Sequence, residues 1–275
     1  MADTGSGLAV RDSVAQLVDC SVVFPDTGSG AYTAVRDINL SIQRGKLVTV
    51  VGPTGSGKST ILNMVAGLLQ PASGMVFSNG TTLNGLNTSA GYLFQRDTLL
   101  PWRKAVDNVA LSLDYRGANR RESRELARDW LRKVGLAGFE DRYPSQLSGG
   151  QRRRVSLAQM WITDPDLILM DEPFSSLDAQ TRLIMQQEVL RVWQTSGAGA
   201  LFITHDLDEA VALSDEIYVL SAGPASTFAG RFDVPIERPR DLLDIKQSPE
   251  YQQIYEEVWS CLKKEVLHTY SSTSA

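Results

Sequence analysis

The chain has 275 residues, 43% hydrophobic and 21% charged, with 22 Gly and 11 Pro, which is the balance of an ordinary globular protein. Its 27 Lys and Arg against 32 Asp and Glu leave a formal net charge of −5, which argues against bulk electrostatic binding to nucleic acid. The only cysteines, Cys20 and Cys261, lie far apart and indicate no disulfide framework.

In chain order, residues 1–15 and Ser271–Ala275 are small and polar and are expected to be loose. No basic run leads into an apolar one at the N-terminus, so no secretory signal is read there. An apolar run at Val22–Phe24 precedes a Gly/Ser loop, Thr27–Ala31. Val35, Ile38, Leu40 and Ile42 fall on a strand, and Lys46–Val51 reads as a short buried one. A helical pattern then runs to Leu69, with Ile61, Leu62, Met64, Val65 and Leu68 as its packing face. Short strands follow near Met75–Ser78 and Gly91–Phe94. From Ser59 to Gln95 the chain carries no Asp, Glu, Lys, Arg or His. That run is not a membrane span, because Asn63, Gln70, Pro71, Asn79, Asn84 and several glycines interrupt the roughly 20 apolar residues that a span needs. The chain is expected to be soluble and intracellular.

Trp102–Trp161 reads as helix, with dense charge at Arg116–Arg132. Strand, helix, strand, helix, strand then follow at Leu167–Met170, Ala179–Gln194, Ala200–Ile203, Asp206–Leu213 and Glu216–Leu220. Such alternation predicts an α/β fold with a parallel sheet and crossover helices. The helical block at about 102–161 looks like an insertion into that sheet, and Pro235–Leu267 is a tail ending in an amphipathic helix from Pro249.

Three motifs carry chemistry. Gly52, Pro53, Thr54, Gly55, Ser56, Gly57, Lys58, Ser59 and Thr60 contain the full G-x4-G-K-S pattern between a strand and a helix. Glycines let backbone N–H groups turn inward around a phosphate, and the helix N-terminus adds a positive dipole end. Lys58 would reach the β- and γ-phosphates and Ser59 would ligate Mg2+. Leu167–Met170 ends in Asp171 and Glu172: the first placed to hold the metal, the second one residue further to polarise an attacking water as general base. Leu147-Ser148-Gly149-Gly150-Gln151 would open a helix with bare N–H groups, a second anion site on the same chain. Two phosphate sites for one nucleotide suggest that the second serves another copy's ATP. The following Arg152–Arg154 reads as a solvated helix face.

In combination these motifs resemble the ATP-binding subunit of an ABC transporter, over about residues 17–222. The resemblance implies a RecA-like parallel-sheet core with an N-terminal antiparallel β subdomain, an inserted helical subdomain and a C-terminal helical tail. It divides the chain into an ABC ATPase domain, 17–230, and a tail, 231–275. It makes Gln95 the loop glutamine that contacts Mg2+ and senses the membrane subunit. Ser148, Gly149, Gly150 and Gln151 become the signature that binds the opposite subunit's γ-phosphate. Asp178, in Ser176-Leu177-Asp178, lies in the loop crossing the dimer interface, and His205 is the switch histidine. The adenine-stacking aromatic is Phe24, with Tyr32 as its rival.

Tyr92–Trp102, Trp102–Leu113, Leu177–Arg182, Arg238-Pro239-Arg240 and a helix containing Trp259 are similar to the importer group for nitrate, sulfonates and taurine. Gln159-Met160-Trp161 and Arg96 depart from the family pattern. The resemblance implies ATP and Mg2+ as cofactors, and ATP hydrolysis in a head-to-tail dimer with an identical or closely related chain. The other implied partners are integral membrane permease subunits and a periplasmic or lipid-anchored substrate-binding protein. The location is peripheral, on the cytoplasmic face of the membrane. Leu99–Trp102 would form an apolar knob for a permease helix. The alternative is a non-transport ABC ATPase acting with a soluble assembly partner.

Overall fold

The computed structural model describes residues 13–25 and 30–273; residues 1–12, most of the expected Gly/Ser loop and the last two residues lie outside them. Ser13–Ala15, expected to be loose, already belong to the first strand, and Ser271–Thr273 to the last helix. The chain divides into two compact units, the first built from the described residues up to Ala90, from Asp166–Glu172 and from Gly197 onward.

In the first unit, β1 (Ser13–Pro25), β2 (Ala31–Gln43), β4 (Ser73–Ser78) and β5 (Thr81–Thr82) form an antiparallel sheet in the order β2-β1-β4-β5. β6 is Ala90–Leu93, and the first unit's part of a second sheet runs β10-β9-β3-β8-β7, from Phe228–Asp233, Glu216–Leu220, Leu47–Val51, Gly199–Ile203 and Leu167–Asp171. β9, β3, β8 and β7 are mutually parallel, and β10 pairs antiparallel with β9. Every residue of β3 and β8 is buried, which is why both read as unbroken apolar runs rather than alternating ones. β10 escapes sequence reading because Phe228-Ala-Gly-Arg-Phe-Asp233 is a short, half-exposed edge.

Helix α1 (Lys58–Val65) buries Ile61, Leu62, Met64 and Val65. It stops short of Leu69 because Gly67 takes φ +70° and the amides of Leu68 and Leu69 turn back to the Asn63 carbonyl. Leu68, expected on the packing face, is therefore exposed.

The second unit comprises 91–165 and 173–196. The expected helical stretch is broken into α2 (Ala105–Tyr115), α3 (Arg120–Lys133) and α4 (Gly149–Trp161), joined by α5 (Ala179–Ser196). Val106, Val109, Ala127, Leu131, Val155 and Ala158 make their common core. Asn119 caps α3 by accepting from the Arg121 amide at 2.9 Å. Met160 and Trp161, two of the departures from the family pattern, are buried. Helices α6 (Leu207–Leu213) and α7 (Pro249–Thr273) complete the first unit.

Candidate functional site

Three adjacent parallel strands, β3, β8 and β7, deliver their carboxyl ends to one edge of the sheet in the first unit. Gly52 follows β3, Glu172 follows β7, and Thr204 and His205 follow β8. Open parallel sheets bind their ligands at such an edge.

The phosphate loop needs its glycines. A Cβ on Gly57 would meet Val35 Cγ1 at 2.6 Å, and its φ of +94° is the left-handed region. A Cβ on Gly52 would meet the Leu220 carbonyl oxygen at 2.8 Å. Lys58 Nζ donates to the carbonyls of Gly52 (2.9 Å) and Pro53 (2.8 Å). Burial pushes its ammonium pKa down, against the pull of the Glu172 and Asp171 charges. The cation is thus held over its own loop in a desolvated place, the setting in which a phosphate oxygen is a strong replacement partner. Ser56 Oγ is buried inside the loop with no hydrogen-bond partner.

Ser59 Oγ donates to Asp171 Oδ1 at 3.2 Å, so two of the three expected metal ligands are neighbours. Burial raises the Asp171 pKa, with the Ser59 hydrogen bond working the other way. A hydroxyl and a half-buried carboxylate form an all-oxygen donor set, which suits a hard cation such as Mg2+.

Glu172 sits at φ +44°, an unusual backbone position for a side chain of its size, and its amide donates to the Ile203 carbonyl at 2.9 Å. Its Oε1 lies 3.2 Å from His205 Nδ1. The turn that carries His205 is bracketed by buried polar contacts. Thr204 Oγ1 donates to Glu209 Oε2 at 2.7 Å and accepts from the Asp206 amide at 3.0 Å. Asp206 caps α6 by accepting from the Glu209 amide at 3.2 Å. Sequence reading missed this bracket; a Thr and a Glu five residues apart across a strand end and a helix start were its only trace.

The second unit holds the other expected residues. Ser148 and Gln151 form a reciprocal cap on α4: Ser148 Oγ accepts from the Gln151 amide (3.2 Å) and Gln151 Oε1 from the Ser148 amide (2.9 Å). Asp178 caps α5 by accepting from the Thr181 amide at 3.0 Å, and that backbone bond holds its carboxyl pKa down. Ser148, Gly149, Gly150, Gln151 and Asp178 line one open cavity of about 500 Å3, together with Arg154 and Thr181. The cap uses Ser148 Oγ and Gln151 Oε1 only as acceptors, so the Ser148 hydroxyl and Gln151 amide hydrogens, with the backbone N–H groups of Gly149 and Gly150, are the cavity's anion-directed donors.

The run Arg152–Arg154 is not a solvated face. Arg152 pairs with Asp97 (3.0 Å) and donates to the Leu147 carbonyl (2.8 Å). Arg153 is buried and donates to the Phe94 carbonyl at 2.6 Å, with burial lowering its pKa to about 10. Arg154 pairs with Glu188 at 3.0 Å. Phe94 and Asp97 flank the exposed Gln95, so the start of α4 holds the segment that carries this glutamine.

Phe24 and Tyr32 are cross-strand partners in β1 and β2 and both are exposed, which leaves either ring open to a base. In the second unit Trp102 is 71% exposed, whereas Leu99 packs on the helical core. Asn108, fully buried, fixes this turn: it accepts from the Leu100 amide at 2.7 Å and donates to the carbonyls of Leu100, Arg103 and Lys104.

The fold and the phosphate loop define an α/β phosphate-loop ATPase. A family model described as ABC transporter matches residues 35–175. The chain is 37% identical to the nitrate import ATP-binding protein NrtD of Synechococcus elongatus, over 91% of this chain and 92% of that protein. It is 42% identical to the taurine import ATP-binding protein TauB of Escherichia coli, over 84% of this chain and 92% of that one. Among solved structures it is similar to an ATP-binding cassette in a dimeric post-hydrolysis state bound to ADP and Pi. That match has a TM-score of 0.71 at 30% identity and covers 81% of this chain and 100% of that one. The chain belongs to the ABC transporter family, as its ATP-binding subunit, and is an ATPase. No helix among the described residues is long and apolar enough to cross a membrane.

Proposed function

We propose that this chain powers an importer for a small anion of the nitrate, sulfonate, taurine or bicarbonate kind. The convergence of Lys58, Ser59, Asp171, Glu172 and His205 at one sheet edge carries the hydrolytic half of this reading. The names of the similar import subunits support the cargo class.

In the proposed mechanism the loop Gly52–Thr60 wraps the triphosphate, and Lys58 exchanges its own carbonyl partners for β- and γ-phosphate oxygens. Phe24 stacks on adenine. Ser59 and Asp171 would hold Mg2+, which supplies charge neutralisation at the phosphates. Glu172 takes the proton of the attacking water, and His205 orients water and γ-phosphate. Ser148–Gln151 and Asp178 serve the nucleotide of a second copy, an arrangement supported by the dimeric state of the similar cassette. Each copy is then half of two composite sites. ATP favours the closed dimer, and its hydrolysis releases that preference, which drives the membrane subunits. Trp102 and its turn dock a permease helix, placing the chain on the cytoplasmic face of the membrane. An external substrate-binding protein delivers the cargo.

The test is reconstitution of the full chain with the permease encoded beside it, followed by ATPase measurement with binding proteins loaded with nitrate, taurine or bicarbonate. Stimulation by one loaded protein, lost in Trp102→Ala, supports the reading. A chain that stays apart from every permease, with no stimulated turnover, contradicts it.

A further inference from the structure

Helix α6 begins two residues after His205 and has only seven residues, too few to be stable alone. The C-terminal tail holds it at both ends. At its start, Asp208 Oδ1 accepts from Tyr251 Oη at 2.5 Å, and Asp208 Oδ2 pairs with Lys246 Nζ at 2.9 Å. At its end the last turn leaves carbonyls without helical partners. Arg240 Nη1 donates to those of Ala212 (3.2 Å) and Ser214 (2.7 Å), and Arg238 Nη2 to that of Leu213 (2.6 Å). Arg238 Nε also pairs with Asp215 at 3.1 Å. The Arg240 side chain is wholly buried, so its charge is committed to this place. The tail is seated by one apolar stripe of α7, Tyr251, Ile254, Val258 and Leu262, all buried at helical spacing.

We infer that the tail segment from Arg238 to Tyr251 sets the position of His205 by clamping α6 at both ends, so that Tyr251, Lys246, Arg238 and Arg240 are positioning residues for hydrolysis. His205 and Asp208 are three residues apart, and Asp206 between them accepts from the amide of Glu209, next to Asp208, so a displacement of the start of α6 is carried along the backbone to His205 and moves the imidazole relative to Glu172. A loss of alignment at a reacting centre costs turnover more than binding. The consequence for ATP hydrolysis rests on the proposed role of His205; the positional claim does not.

The chain has two histidines, His205 and His268, so imidazole nitrogen spectra of the 15N-labelled full-length protein resolve His205 directly, with His205→Gln giving the assignment. In Tyr251→Phe combined with Lys246→Ala the His205 signals shift or broaden, and kcat for ATP falls about tenfold with KM within about twofold. Lys246→Arg restores turnover in the Tyr251 background. Lys246 is surface-exposed, so Lys246→Ala alone keeps the measurement interpretable if the double variant is poorly folded. Unchanged His205 signals in a folded double variant overturn the inference, as does a kcat that falls only in proportion to the folded fraction. If His205→Gln itself hydrolyses ATP normally, the role of His205 fails, and the spectra still decide whether the tail positions it.

Discussion

Glu172 Oε1 and His205 Nδ1 lie 3.2 Å apart, at the ends of the neighbouring parallel strands β7 and β8. Neither strand alone would bring them together. β7 delivers Glu172 in a left-handed backbone position, anchored by its amide to Ile203 of β8, and the Thr204–Glu209 bond fixes the turn from which His205 projects. With Nδ1 facing the carboxylate, Nε2 is the ring atom left to meet a phosphate oxygen or water.

His205→Ala removes that second contact and leaves the phosphate loop intact. Turnover is expected to fall by about two orders of magnitude while ATP binding, read by calorimetry, stays within about threefold of wild type. A variant that turns over at the wild-type rate contradicts the role given to the imidazole.

Asp171 gives a prediction in which stability and activity part company. Burial raises its pKa in the folded chain, so the folded state binds that proton more tightly than the unfolded one. Its contribution to stability is fully present below the ordinary carboxylate value of 3.8 and is lost as pH rises through the raised folded value. Near neutral pH the ionised carboxylate is therefore a cost that a bound cation offsets. Asp171→Asn should abolish Mg2+-dependent ATPase yet raise the Tm of the metal-free protein by about 2 °C. A lowered Tm in metal-free buffer contradicts this.

Asn108 offers a test in the helical unit. Asn108→Ala removes the side-chain hydrogen bonds to the Leu100–Lys104 turn from a fully buried site and takes the Oδ1 acceptor from the Leu100 amide, while the Leu100 and Lys104 carbonyls keep the Arg103 and residue-108 amides. The expected loss is about 3 kcal/mol of stability, with faster amide hydrogen exchange over residues 99–104. Unaltered exchange there would show that the turn is held by something else.

What was legible in the sequence is what lies contiguous in it. The phosphate loop declares itself because one strand, one turn and one helix start supply nearly every part. The buried strands β3, β7 and β8 declare themselves because both faces are covered and apolar residues run on without alternation. The Glu172–His205 pair depends on two strands lying side by side, so only a resemblance pointed to it. Arg152–Arg154 was misread because three adjacent charges look solvated until their partners, Asp97, Phe94 and Glu188, are brought up by packing. The clamp of Tyr251 on Asp208 spans 43 positions and left no local trace.

In the proposed mechanism Glu172 activates water for ATP sandwiched between two copies of this chain. Glu172→Gln preserves the side chain's shape and removes its basicity. The measurement is size-exclusion chromatography with light scattering in ATP and Mg2+, paired with single-turnover hydrolysis on the same sample. The expected result is an ATP-loaded dimer whose hydrolysis is slowed at least about a hundredfold. A variant that hydrolyses ATP at a near-normal rate, or one that binds ATP and remains monomeric, would contradict it.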